Sequence, residues 1–333
     1  MIPKVEFIDV KKYFHHSGVL RKRYLRAVNG VSFQIKEGET LAVVGESGCG
    51  KTTLARMLMK LHDPTGGKIL VDGRDISGHM RLRAAKSFRS GIQMIFQDPF
   101  ASLNPSRTVL AIVGRAITLH NKRMKKEEVR KRVEELMTLV GLTPPDDFMT
   151  KYPGQLSGGQ RQRIVIARAL AVEPAIIVAD EPTSMLDVSI GVDIMNLLID
   201  LREKKKLTMV YITHNLASAR YLADDMVVMY AGNAVEYGDI DQIIADPYHP
   251  YTVLLLNSTP EPFRAERVQI RAAEDLPDLL AAQRGCLFAN RCPVKMPRCE
   301  REIPGDYRIG GRVVKCFLYE SGVPEPIDVR IYA

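Results

Sequence analysis

The eight residues Gly45-Glu46-Ser47-Gly48-Cys49-Gly50-Lys51-Thr52 have the glycine spacing and closing lysine–hydroxyl pair of a phosphate-binding loop. Glycines let successive backbone N–H groups point inward at phosphate oxygens, and a helix starting at the loop's end adds the positive end of its dipole. Lys51 is then placed to reach the β- and γ-phosphates, and the Thr52 hydroxyl to ligate Mg²⁺. Further on, the apolar run Ile176-Ile177-Val178-Ala179 ends in Asp180 and Glu181. Alone these are exposed acids at a strand end. Downstream of a phosphate loop they read as a hydrolysis pair: Asp180 holds the metal's water shell, and Glu181 orients an attacking water and takes its proton. Ser157-Gly158-Gly159, with a hydroxyl and free N–H groups at a helix start, reads as a second anion site.

These residues need particular elements to hold them. Leu41–Val44 is a short buried strand that stops at Gly45; beyond Gly50 the apolar period changes, and Leu54, Met57, Leu58 and Leu61 share one helix face. Residues 1 to about 98 read as β-rich with this one strong helix. Val5–Phe7 and Val31–Ile35 alternate like edge strands, and the polar, basic stretch between them (His15-His16-Ser17-Gly18, Arg21-Lys22-Arg23) reads as a solvated loop. From about 100 to 170 the pattern is helical, with turns at Pro144-Pro145 and Pro153-Gly154. Seven of the twelve residues from Asn121 to Arg132 are basic; with Val129, Val133, Leu136, Met137 and Val140 on the opposite face, they read as a helix's wet side. Thr208–Ile212 is another buried strand, so strands and helices alternate as in a largely parallel sheet covered on both faces. Met226–Tyr230 and Ala234–Tyr237 read as a hairpin around Ala231-Gly232-Asn233. Past Pro250 the composition shifts to proline, arginine and cysteine, which marks an appended segment.

With 333 residues, 46% hydrophobic and 26% charged, the chain has room for about two globular domains, and disordered, collagenous and disulfide-scaffold classes are excluded. No apolar run approaches the ~20 residues of a membrane span, and the opening Met1-Ile2-Pro3-Lys4-Val5-Glu6 does not resemble a secretory leader. The expectation is a protein of the cytosol. Lysine and arginine outnumber the acids 47 to 39, a net +8 that permits an anionic partner without demanding one. Of five cysteines, Cys49 lies in the phosphate loop, and Cys286, Cys292, Cys299 and Cys316 crowd the end of the chain. In a cytosolic chain that clustering points to metal rather than disulfides.

Leu156-Ser157-Gly158-Gly159-Gln160, followed by Arg161-Gln162-Arg163, resembles the signature of the ABC ATPases, and the family's other motifs appear in order. Gln97 in Phe96-Gln97-Asp98-Pro99 is similar to the Q-loop, Ser184-Met185-Leu186-Asp187 to the D-loop, and His214 in Thr213-His214-Asn215 to the switch histidine. Tyr13 stands where the family has an aromatic that stacks on adenine. Asn215 and Met185 depart from the Asp and Ala often found there. The resemblance implies an α/β fold: a RecA-like core sheet with an antiparallel β subdomain and a helical subdomain at about 98–165, together forming an ABC ATPase domain over 1–250. Residues 251–333 would be a small cysteine-rich extension. It further implies ATP and Mg²⁺ held by Gly45, Ser47, Gly48, Cys49, Gly50, Lys51, Thr52, Thr53 and Asp180, with Thr52 and Gln97 on the metal. Each nucleotide would be clamped in a head-to-tail dimer by the partner's equivalents of Ser157, Gly158, Gly159, Gln160 and Asp187. Glu181, His214 and Gln97 would do the chemistry.

Asp246-Pro247-Tyr248-His249-Pro250-Tyr251-Thr252 and the four late cysteines resemble the segment after the ATPase core in oligopeptide, dipeptide and nickel importers. The spacing C-x5-C-x6-C-x16-C lacks the close C-x2-C pairs usual for zinc. The resemblance implies a [4Fe-4S] cluster on Cys286, Cys292, Cys299 and Cys316, with zinc as the alternative. It also implies an importer subunit peripheral on the cytoplasmic face of the membrane. Its partners would be a second ABC ATPase in a heterodimer, two integral membrane permease subunits and an extracytoplasmic substrate-binding protein. Cargo would be oligopeptide or dipeptide, with oligosaccharide or nickel carried by relatives. The rival reading, a soluble ABC ATPase acting on nucleic acid or ribosomes, would call for two cassettes or a coiled-coil insertion; this chain has one phosphate loop, one signature and no sustained heptads.

Overall fold

Two long strands, β1 (Val5–Ser17) and β2 (Lys22–Ile35), open the chain as an antiparallel pair. The computed structural model describes residues 2–17, 22–258, 277–280, 283–322 and 327. Val5, Phe7, Val31, Phe33 and Ile35 face a core, with Phe7 stacked on Phe33 at 4.5 Å. The stretch expected to be a loop is instead strand. Pairing continues past Val10 through Phe14 with Leu25, His15 with Tyr24 and His16 with Arg23. The apolar alternation that would reveal a strand has ended there, but cross-strand contacts replace it: His15 meets Tyr24 edge-on at 5.2 Å. Residues 18–21 of the expected loop lie outside the described residues.

The chain forms two compact units, Met1–His79 with Ile212–Ala333, and Met80–Tyr211. In the first, β3 (Thr40–Val44) leads to α1 (Lys51–Leu58), then β4 (Gly66–Val71) and β5 (Arg74–Asp75). One sheet has the order β2-β1-β4-β5 and is antiparallel throughout. Leu54, Met57 and Leu58 of α1 are buried as their spacing predicts, whereas Leu61 lies past the helix end and is half exposed.

The second unit comprises α2 (Leu82–Gly91), β6 (Ile92–Ile95), α3 (Pro99–Ser102), α4 (Val109–His120), α5 (Lys126–Leu139), α6 (Asp146–Met149), α7 (Gly158–Leu170), β7 (Ile176–Asp180), α8 (Val188–Lys205) and, as far as Tyr211, β8 (Thr208–Thr213). Helix α2 corrects the expectation of one helix before residue 98: Arg81 gives it no side-chain cap, so no start signal announces it, and among its described side chains only Ala85 is buried apolar surface. Strand β7 lies between β6 and β8, and β6 pairs with it in parallel. On α5, Val133, Leu136 and Met137 are buried while Lys126, Arg130 and Lys131 are exposed, so the basic run is solvated as expected. Helix α4 buries Val109, Ile112, Val113 and Ile117 and packs on α5 and α7.

The chain returns to the first unit with α9 (Leu216–Leu222), β9 (Asp225–Tyr230), β10 (Asn233–Asp239), α10 (Ile240–Ala245), α11 (Pro250–Ser258), β11 (Tyr307–Ile309) and β12 (Arg312–Val314). The β9–β10 hairpin forms as expected, and β3 pairs with β9 in parallel. The segment past Pro250 is not appended in the structural sense. Residues on both sides of the boundary expected at 250 belong to one unit, for two reasons. Strand β12 pairs with β10, matching Glu236 with Val314, and Tyr251, Val253, Leu254 and Phe288 are buried in the same core as Val44, Val228 and Tyr230. The polar composition that marked this segment is its surface; its apolar residues complete the unit.

Candidate active site

In the first unit the fully buried β3 delivers its chain end to the phosphate loop. At Gly45 a Cβ would stand 2.2 Å from the Met229 carbonyl oxygen, and at Gly50, with φ 109°, 2.2 Å from that of Ala27. Only glycine fits either place. Gly50 is also the N-cap of α1 and offers no side-chain cap, so the helix's first amides keep their capacity to donate to an anion. Lys51 is buried, and its ammonium donates to the carbonyls of Gly45 at 2.7 Å and Glu46 at 2.9 Å. Ser47, Gly48, Thr52 and Thr53 complete the loop and first turn. Cys49 is buried and its thiol is pushed up by desolvation, with Lys51 opposing, so it stays protonated.

Two other residues expected at the nucleotide belong to this unit. Tyr13 on β1 donates its hydroxyl to Asn29 Oδ1 at 2.5 Å, and the Arg26 guanidinium lies 5.9 Å from its ring centre. His214 is exposed in the turn between β8 and α9. The turn is braced by Asn215, which caps α9 by accepting from Ser218 N at 3.1 Å and donates its own N–H to Thr213 Oγ1 at 3.0 Å. The Asn in place of Asp therefore caps as an Asp would.

The remaining residues expected at the nucleotide lie in the second unit. The parallel register of β6 and β7 places Ile95 beside Ala179. Gln97 and Glu181 each follow two residues later, and Gln97 Nε2 donates to Glu181 Oε2 at 3.0 Å. Asp180 is the last residue of β7, and Glu181 takes the left-handed region at φ 45°. That conformation is uncommon for a residue with a Cβ and recurs at functional sites. Ser184 supports it, donating N–H and hydroxyl to the Glu181 carbonyl at 3.2 and 3.0 Å.

Ser157 caps α7 in a reciprocal box: its hydroxyl accepts from Gln160 N at 3.2 Å, and Gln160 Oε1 from Ser157 N at 3.0 Å. The serine hydroxyl expected to be open to an anion is thus engaged with the helix. The amides of Gly158 and Gly159 still precede the first intrahelical acceptor. A Cβ on Gly159 would stand 2.6 Å from Ile190 Cγ2, so glycine there is also a packing requirement. Asp187 heads α8, accepting the N–H of Gly191 through its carbonyl at 2.8 Å.

The four late cysteines line one cavity with His249, Phe288, Met296 and Phe317. Burial pushes the Cys286 thiol up, and those of Cys292 and Cys316 up to about 12. In number and type four thiols suit a thiolate centre. Yet no three of the His, Cys, Asp and Glu residues described here are grouped as a metal centre, so the iron–sulfur expectation has convergence without ligand geometry. Magnesium takes hard oxygen donors, of the kind the Thr52 hydroxyl offers in the first unit and the Asp180 carboxylate and Gln97 amide oxygen offer in the second.

Sequence reasoning missed the roles of two groups of residues. Arg161, Arg163 and Arg168, which follow the signature, tie α7 to its surroundings through the carbonyls of Pro153, Val140 and Ser102. Tyr251 and Arg291 hold the phosphate loop at Glu46. Their signal was Glu46 itself, since a carboxylate within a phosphate cradle calls for a cationic partner.

An ABC transporter family model matches residues 28–184, and a model of the oligopeptide/dipeptide transporter C-terminal region matches residues 235–299. The oligopeptide transport ATP-binding protein AppF of Bacillus subtilis (strain 168) is 44% identical, covering 95% of this chain and 97% of its own. The di/tripeptide transport ATP-binding protein DppF of Pseudomonas aeruginosa (strain UCBPP-PA14) is 41% identical, over 94% and 97%. Among solved structures, the post-hydrolysis dimer of the ATP-binding cassette MJ0796 with ADP and Pi is 33% identical. It covers 71% of this chain and 98% of its own, with a TM-score of 0.62. CbiO1 of Clostridium perfringens, part of the cbiONQ transporter complex, is 27% identical over 73% and 91%, with a TM-score of 0.64. With a glycine loop that admits no Cβ, a paired Gln97–Glu181 and relatives matching along nearly its whole length, this chain belongs to the ABC ATPases, in the group of oligopeptide and dipeptide transport ATP-binding proteins.

Proposed function

We propose that this chain binds and hydrolyses ATP to drive import of short peptides. The carrying observation is the phosphate loop, whose backbone can close around phosphate only because Gly45 and Gly50 lack side chains. Lys51 binds the β- and γ-phosphates, the first amides of α1 orient them, and Thr52 with Gln97 holds magnesium. When bound, that ion neutralises charge on the transferred phosphoryl group. Glu181 orients the attacking water and accepts its proton; Gln97 fixes the carboxylate that does so, and His214 contacts the γ-phosphate. Tyr13 stacks on adenine. Ser157, Gly158, Gly159, Gln160 and Asp187 serve the nucleotide of a partner ATPase, so that ATP closes the dimer and hydrolysis releases it.

No helix among the described residues is long and apolar enough to cross a membrane, so in this reading two permease subunits carry the translocation path. The chain docks on their cytoplasmic side in a heterodimer with a second ATPase, and an extracytoplasmic binding protein delivers peptide. The relatives' names favour peptide over nickel, oligosaccharide or nucleic acid as the object of transport. The four cysteines would hold an iron–sulfur cluster, supported by their convergence on one cavity. Iron and acid-labile sulfide assayed after anaerobic purification test this; zinc alone, or neither, refutes it.

The central test is Glu181→Gln in the assembled complex. ATP binding should persist while turnover falls by roughly 10²-fold or more, the scale of a lost general base. Undiminished hydrolysis would remove Glu181 from the mechanism. Gentle detergent extraction with this chain tagged should recover two multi-span proteins and a second ATPase; ribosomes or DNA instead would keep the ATPase and discard transport.

A further inference from the structure

Glu46 is an anomaly in a site for polyphosphate: a carboxylate in the second position of the loop, where its charge opposes the ligand's. The structure answers this charge from a distant part of the sequence. Arg291 approaches with its planar fork, NH1 donating to Oε2 at 3.0 Å and NH2 to Oε1 at 2.9 Å. Its side chain is 11% exposed and that of Glu46 33%, so the pair is shielded more than an ordinary surface ion pair. Two further bonds fix the same residue. Tyr251 accepts the Glu46 N–H at 2.9 Å, and Lys51 donates to the Glu46 carbonyl at 2.9 Å.

Arg291 is itself held rigidly. It ends a tight turn over Ala289–Arg291, where its N–H donates to the Phe288 carbonyl at 3.0 Å and that of Ala289 to the Cys286 carbonyl at 3.1 Å. Cys286 is tied in turn to the Cys299 carbonyl at 2.7 Å. The guanidinium lies 5.7 Å and 5.8 Å from the ring centres of Tyr230 and Phe288, which pack on each other and on Tyr251. A bidentate guanidinium on so fixed a base sets both the charge and the direction of its carboxylate.

We propose that Arg291 is a positioning residue for nucleotide binding: by clamping and neutralising Glu46 it keeps that carboxylate off the incoming phosphates, so that the C-terminal region sets the affinity of the loop for ATP. This deepens the ATP-binding reading above and rests on it. Arg291 need not touch the nucleotide; it acts through Glu46. The turn that presents it is bonded to the Cys286 carbonyl and borders Cys292, so whatever orders the cysteine cavity orders the clamp.

The test is equilibrium binding of MgATP to the full chain, with Glu181→Gln in every variant to prevent turnover. Arg291→Met should weaken binding about tenfold, equivalent to ~1.4 kcal/mol, and Arg291→Lys, which restores charge without the fork, should fall between. The deciding variant adds Glu46→Gln to Arg291→Met. If the unclamped charge is what harms binding, removing it restores affinity to within about threefold of the parent, a rescue that a purely structural role of Arg291 would not show. Equal affinity of Arg291→Met and the parent, or a double variant as weak as the single one, would overturn the proposal. A parent chain that binds no MgATP would instead overturn the nucleotide reading itself, and the clamp with it.

Discussion

His249 should make the stability of the chain fall on mild acidification. It is fully buried at the start of α11, and burial pushes its imidazole down to about 3. Its surroundings explain why it stays neutral. Nδ1 accepts the Tyr251 N–H at 3.0 Å, and the ring's other side is bonded to the Lys315 backbone, so a second ring proton would face a donor. Glu236 accepts the His249 backbone N–H at 3.0 Å, and burial raises its own carboxyl. The folded value lies below the ordinary 6.5, so the unfolded chain binds the extra proton first, and stability is lost as pH falls below that value. The slope is about 1.4 kcal/mol per pH unit for one proton. Between pH 7.5 and 5.5 the histidine alone should remove ~1.4 kcal/mol. The perturbation is His249→Asn, which keeps an acceptor for the residue two positions on and cannot titrate. Other titrating groups cancel when each protein's urea-unfolding free energy at the two pH values is subtracted. The variant will be less stable at both, but the parent should lose ~1.4 kcal/mol more on acidification. Equal losses in the two proteins would show that His249 is protonated or solvated in the native chain, and the account of its burial would fail.

Three further outcomes follow from the site geometry. Gly50→Ala forces a Cβ to 2.2 Å from the Ala27 carbonyl at φ 109°, a strain of ~1–3 kcal/mol; nucleotide binding should drop by at least tenfold in equilibrium titration, and retained affinity would refute the fit argument. Gln97→Leu removes the bond to Glu181 and the amide proposed for magnesium, and should lower ATP turnover at saturation by ~10²-fold, the lower end of the ~10²–10⁴ attributed to a positioned base; a loss of MgATP affinity with turnover at saturation unchanged would contradict that assignment. Asn215→Ala should cost ~1 kcal/mol in unfolding free energy through loss of the α9 cap while Asn215→Asp costs little, and equal losses would mean that the cap contributes nothing.

What was legible in the sequence was whatever local spacing carries. The glycine loop, the apolar run into Asp180, the helix start at Ser157 and the β9–β10 hairpin all depend on residues within a few positions of one another, and all are where their patterns place them. What was illegible depended on register or on distant partners. The β1–β2 pairing persists through His15 and Arg23 because strands hold together by cross-strand contacts after apolar alternation ends. The meeting of Gln97 and Glu181 is invisible in either segment, yet it follows at once from one parallel register, since each lies two residues past a paired position. The late region shows the same limit more sharply. Its proline, arginine and cysteine suggested an addition to a finished domain, because composition is an average and the residues that decide membership are few. Tyr251 and Phe288 bury their rings, β12 extends from β10, and Arg291 answers a charge 245 positions earlier. A carboxylate in a phosphate cradle therefore carried more information about the end of the chain than the composition of that end did, since an unfavourable charge in a site must be balanced by some residue, and the structure shows which.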